Sequence, residues 1–141
     1  MALAKKLSLK RKLNSVTKEL AVLNIELAEQ MILLASQTQD SAPLIGAVKA
    51  LREAQEIYSS KSMPRKNAEV QKALGDTLLN LGRANDDVEA LESAVQAYRS
   101  AVTLASMLGD EAMRRAVKKN YALSLRLLEN HTGRPLKAGA A

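Results

Sequence analysis

The stretch that decides the fold is Leu91–Val102, LESAVQAYRSAV, read beside Leu44–Gln55, LIGAVKALREAQ. A displacement of 47 residues lays Leu44, Ala47, Val48, Ala50, Arg52 and Ala54 on Leu91, Ala94, Val95, Ala97, Arg99 and Ala101, six identities in 11 positions. Alanines match easily in an alanine-rich chain, so the arginine pair and the shared register carry more weight. The same displacement aligns segments that played no part in choosing it. Ala21, Leu23, Leu27, Ala28, Met31 and Leu34 fall on Ala68, Val70, Leu74, Gly75, Leu78 and Leu81, and these last five fall in turn on Val117, Tyr121, Ala122, Leu125 and Leu128. The chain therefore reads as A, B, A, B, A: two and a half copies of a pair of elements.

The elements are helices. Apolar residues at Leu13, Val16, Leu20, Leu23, Leu27, Met31 and Leu34 advance in steps of three and four, one stripe along a helix that Leu3 and Leu7 extend. It is expected to end near Ser36, before the polar run SQTQDSAP. Asp40 or Ser41 caps a second helix with Pro43 in its first turn, running to about Ser60. A third opens at Pro64 and is expected to stop at Gly82. Asp86 or Asp87 starts a fourth, to Leu108, and GD at 109–110 separates it from a fifth, Glu111 to Asn130. Aromatic residues make up only 2% of the chain, which suits close-packed helices built from Ala, Leu and Val rather than strands. The fold class is all-α, an antiparallel array of α-hairpins with about five helices. The domain reading is a basic amphipathic extension over 1–20, a repeat domain over 21–130 and a flexible tail over 131–141.

Gln71-x-x-Leu74-Gly75-x-x-Leu78, followed by Ala94-x-x-x-Tyr98 and Ala101, resembles the tetratricopeptide repeat, whose pattern is W-x₂-L-G-x₂-Y, then A-x₃-F, then a proline. Small residues let two helices cross closely and large ones fill the space beside them. Gly75, Ala94 and Ala101 take the small positions, and Leu74, Leu78 and Tyr98 the large ones. Leu27, Ala28, Met31, Ala47, Leu51 and Ala54 take these parts in the first copy, and Tyr121 and Ala122 in the half copy. The unit here is 47 residues against roughly 34 in the family. Tryptophan is absent from the first position and the closing proline is missing.

The resemblance implies a concave surface, lined by helix A residues beside the small packing position, that binds a peptide or a partner helix. Carried across, these are Glu29, Ile32 and Leu33 in copy one, Lys72, Asp76, Leu79 and Asn80 in copy two, and Lys119, Leu123, Arg126 and Leu127 in copy three. Some family members grip a C-terminal carboxylate with Lys, Asn and Arg. Asp76 sets a negative charge where an amide would be wanted, which points away from that clamp. Leu33, Leu79, Leu123 and Leu127 point instead to an apolar groove. Met113, Ala116, Val117, Leu125 and Leu128 add to an apolar surface on the fifth helix that no further helix covers, so a second copy or a partner protein is expected there.

Charge is uneven. Residues 1–20 carry Lys5, Lys6, Lys10, Arg11, Lys12 and Lys18 against Glu19, while residues 21–130 hold 13 basic and 14 acidic side chains. The basic character belongs to the first segment and not to the body. Three readings stand for that segment: an anionic membrane contact or organelle presequence, a phosphate contact on nucleic acid, or a helical extension that docks its leucines on a partner. Lys5, Lys6, Lys10, Arg11 and Lys12 are its candidate anionic-surface contacts. With no Cys, no Gly-rich phosphate loop and no HExxH, and with one histidine, His131, the sequence shows no catalytic or metal constellation. Asp86, Asp87 and Glu89 read as helix-start charges. The expectation is a non-enzymatic adaptor or scaffold with no cofactor and no small-molecule substrate. It is expected in the cytoplasm or, if the basic segment is a targeting sequence, in an organelle matrix. The alternative is a basic accessory subunit of a larger assembly, held through residues 1–18.

Overall fold

The computed structural model describes residues 2–133, and every described element is a helix: α1 Ala2–Thr38, α2 Ala42–Ser60, α3 Pro64–Asn85, α4 Val88–Leu108 and α5 Glu111–Thr132. Each helix packs on the next in the chain, and α3 also touches α5. Connections of two or three residues are set by local chemistry. Asp40 Oδ1 accepts from the Ala42 N–H at 3.0 Å, and Pro43 occupies the first turn of α2. Asp87 caps α4 by accepting from Ala90 N–H at 3.2 Å, and Asp110 caps α5 by accepting from Met113 N–H at 3.0 Å. Polar contacts tie the ends together. Ser41 Oγ donates to Asn85 Oδ1 at 2.8 Å and His131 Nε2 lies 2.9 Å from Asp86 Oδ1 at one end, while Arg65 Nη1 donates to Asp110 Oδ2 at 3.0 Å at the other.

Three boundaries differ from expectation, the first being α1, which runs on through the polar Ser36 and Gln37 to Thr38. Gly82 does not end α3: the helix continues to Asn85, and left-handed Asp86 (φ 54°) follows it, with Asp87 N–H bonded to the Gly82 carbonyl at 2.9 Å. Gly82 is used for packing, since a Cβ there would lie 2.7 Å from Leu91 Cδ2. The last helix runs past Asn130, so His131 and Thr132 are helical and Gly133 (φ 67°) closes α5. The rest of the expected tail, 134–141, lies outside the described residues.

Burial repeats with the sequence. The buried residues of α2 are Leu44, Ala47, Val48, Ala50, Leu51, Ala54 and Tyr58, and 47 positions on each meets a buried residue of α4: Leu91, Ala94, Val95, Ala97, Tyr98, Ala101 and Ala105. Ala28 and Gly75, the small helix A residues, are both buried, whereas Ala122 is exposed because no helix follows α5 among the described residues. Leu27 departs from its expected packing part: it is half exposed, and Met31 instead fills space against α2, its Sδ at Gly46.

The long first helix is the irregular element. At about 1.5 Å per residue its 37 residues span roughly 55 Å, and the 19 of α2 roughly 28 Å. Its buried residues are Ala21, Asn24, Ala28 and Ala35, all in its second half. No break occurs at residue 20; the basic segment is the overhanging half of one continuous helix.

The tightest crossing is at Gly75, where a Cβ would meet Tyr98 Cε1 at 2.6 Å; at Gly46 it would meet only the Met31 thioether end, at 2.7 Å. Tyr98 is a fully buried ring without freedom to retreat, whereas Met31 is flexible. Gly75→Ala is therefore expected to destabilise by about 1–3 kcal/mol. Gly46→Ala is expected to be neutral or stabilising by up to about 1 kcal/mol through helix propensity. Urea denaturation of the two variants checks both signs.

Candidate functional site

A concavity with apolar walls lies between α1 and α3, which are held apart by α2. Val22, Ile25, Glu26 and Glu29 of α1 and Lys66, Glu69, Val70 and Ala73 of α3 line a groove of about 430 Å³ floored by Leu51 and Tyr58 of α2. On both helices the lining residues follow the i, i+3, i+4, i+7 spacing of a single face. The walls are apolar and the rim is acidic: Glu26, Glu29 and Glu69 against Lys66, whose Nζ stands 4.0 Å from Glu69 Oε2. Farther along the same two helices a more polar cleft of about 630 Å³ is lined by Ile32, Ala35, Asn80 and Asn85 among others.

The residues expected to bind do not form one surface. Glu29 lines the groove, and Asn80 the cleft at its other end. Leu33 is half exposed on α1, while Leu79 is buried at 3% exposure and belongs to the core. Lys119 and Arg126 are exposed on α5. Leu123 and Leu127 are partly buried against the core, so α5 presents less bare apolar surface than its sequence suggests. The strongly exposed large apolar side chains are concentrated on α1 instead. Lys5, Lys6, Lys10, Arg11 and Lys12 are all exposed on its overhang.

Val22, Ile25, Lys66, Glu69, Val70 and Ala73 were not legible as a site. The 47-residue displacement lays Val22 on Glu69 and Glu26 on Ala73, but the binding positions that the resemblance implies lie beside Ala28 and Gly75, whereas the groove opens on a neighbouring stripe. The helical spacing within each segment is the signal that could have found them, once the facing helix is known.

Lys72 and Asp76 serve the fold. Asp76 Oδ1 accepts from the Tyr98 hydroxyl at 2.6 Å and from Asn120 Nδ2 at 3.0 Å, and Asp76 Oδ2 accepts from Lys72 Nζ at 2.9 Å. One carboxylate thus ties α3 to α4 and α5. Burial first, and then the hydrogen bond and charge of Asp76, hold the Tyr98 hydroxyl well above the ordinary tyrosine range.

Among the described residues there is no group of three or more His, Cys, Asp or Glu that could hold a metal ion, and no helix is long and apolar enough to cross a membrane. Compared with protein-family models, with curated proteins and with solved structures, the chain matches none.

Because the Tyr98 pKa is raised in the folded state, its contribution is fully present below the unfolded value near 10 and is lost as pH climbs above it, where the unfolded chain gives up a proton that the native chain keeps. Tyr98→Phe is expected to cost about 1.5 kcal/mol at neutral pH. It should also flatten the fall in stability between about pH 9 and 11 relative to the wild type. Urea midpoints measured across that range test this, and parallel slopes for the two proteins would contradict it.

Proposed function

We propose that this chain is a tetratricopeptide-like module of antiparallel α-hairpins that binds a segment of another protein along its helix A surface. The 47-residue repetition of buried positions from α2 to α4, the small residues Ala28 and Gly75 where helices cross, and the polar ties between alternate helix ends support the repeat reading. The observation that carries the binding reading is the α1–α3 groove, with apolar walls, an acidic rim and a floor of Leu51 and Tyr58. Such a surface suits an extended or helical segment that sets apolar side chains beside Lys or Arg. Leu123 and Leu127 contribute less to the reading than the groove does, since both are partly packed away. No catalytic step enters the proposal, and the module acts by holding its partner.

Peptide display against the full chain tests the groove. Selected sequences are expected to combine apolar residues with Lys or Arg. Glu29→Lys combined with Glu69→Lys should weaken their binding by roughly tenfold or more, about 1.4 kcal/mol. Leu123→Asp should leave it within roughly twofold, well under 1 kcal/mol. Peptides without cations, or binding that ignores the charge reversals, would remove the groove from consideration.

A further inference from the structure

The exposed apolar residues of α1 are not scattered. Leu13, Leu20, Leu27 and Leu34 recur every seven residues, and Leu9, Val16 and Leu23 recur every seven between them, in alternating steps of three and four. All seven are 48–68% exposed. At about 100° per residue this seam lies roughly 90° round the helix from the face that carries Ala21, Asn24, Ala28 and Ala35. The body is therefore packed against a different stripe, and the seam stands free along the whole helix. A seven-residue apolar repeat kept over three to four heptads is the pattern of a coiled coil. The overhang strengthens the argument, because residues 2–20 include no buried side chain and an isolated helix of that length has little stability of its own.

Charge along α1 identifies the occupant. Residues 1–18 hold six cations and no acid, whereas residues 19–38 hold Glu19, Glu26 and Glu29 and no cation. Two such helices in parallel would set Lys6 against Lys6 in the seam and Lys5 beside Lys10, all like charges. Reversing one helix lays the basic half of each against the acidic half of the other. In one register six of the seven seam residues pair with one another: Leu9 faces the partner's Leu27, Leu13 the partner's Leu23, and Val16 the partner's Leu20, while Leu34 faces the partner's Ala2. The two polar interruptions, Lys6 and the partner's Gln30, share a layer, and Lys12 flanks the partner's Glu26. The repulsive contact left in this register is Glu19 beside its own copy at the dyad.

We propose that α1 is a self-association helix and that two copies of this chain pair antiparallel through the Leu9–Leu34 seam, each overhang lying along the second half of the other's α1. The leucine seam lies apart from the α1–α3 groove and shares only the flanking Glu26 with it, so the proposal is tested independently of the groove.

Sedimentation equilibrium of the full chain at micromolar concentration is expected to give twice the mass of one chain. Leu13→Glu combined with Leu20→Glu should give one chain mass. Both leucines are exposed in the single chain, so the thermal unfolding of the α2–α5 body should stay close to that of the wild type. Geometry is read with a short thiol-bridging reagent, since the sequence contains no Cys. Glu19→Cys, at the dyad, should cross-link. Lys6→Cys should not, because its copy lies roughly 36 Å away in the antiparallel register. Efficient cross-linking at Lys6→Cys would overturn the antiparallel pairing. A wild-type chain that remains monomeric, or one whose seam leucines matter only in binding vesicles of phosphatidylserine and phosphatidylcholine or a polyuridine RNA, would overturn self-association.

Discussion

The close crossing of α3 and α4 is the constraint on which the rest of the structure depends. Gly75 lets the Tyr98 ring lie where a Cβ would stand, and full burial of that ring requires a partner for its hydroxyl. Asp76, the next residue of α3, supplies the partner and also binds Asn120 of α5 and Lys72 of its own helix. A small residue and a carboxylate, adjacent in sequence, thereby set the distance between α3 and α4 and the position of α5. An unsatisfied buried hydroxyl costs about 1–3 kcal/mol, so the polar tie and the close packing are coupled.

The first helix follows a different logic. Its body-facing stripe is made of small residues, Ala21, Ala28 and Ala35 with Asn24, which permit close approach to the alanine-rich α2. Its leucines occupy another stripe and remain exposed. One helix thus carries two apolar faces of unlike size, one for its own chain and one left open. The charge segregation along the same helix, basic in the first half and acidic in the second, distinguishes the two ways in which a like helix could approach.

Much of the architecture was legible in residues. The 47-residue displacement, the steps of three and four, Pro43 and Pro64, the Asp86–Asp87 pair and the GD at 109–110 placed five helices close to where they lie. Gly82 misled because a glycine near a helix end has two uses, as a left-handed terminator or as room for a neighbour, and only Leu91 reveals the second. Leu79, read as a surface residue from its place beside Gly75, turned out to face the core. Asp76 carried no sign that its acceptors would be taken by Tyr98 and Asn120, residues 22 and 44 positions away.

By itself the sequence determined the helices, their order and the 47-residue period of their small and apolar residues, because these depend on neighbours within a turn or on a spacing that the chain displays. Tertiary structure decided which stripe of each helix is buried. Helical periodicity records that Leu13, Leu20 and Leu27 share a face and that Ala21, Ala28 and Ala35 share another, but not which of the two meets α2. The groove between α1 and α3 arises the same way, since its walls belong to helices more than 20 residues apart in the chain that face each other across the helix between them.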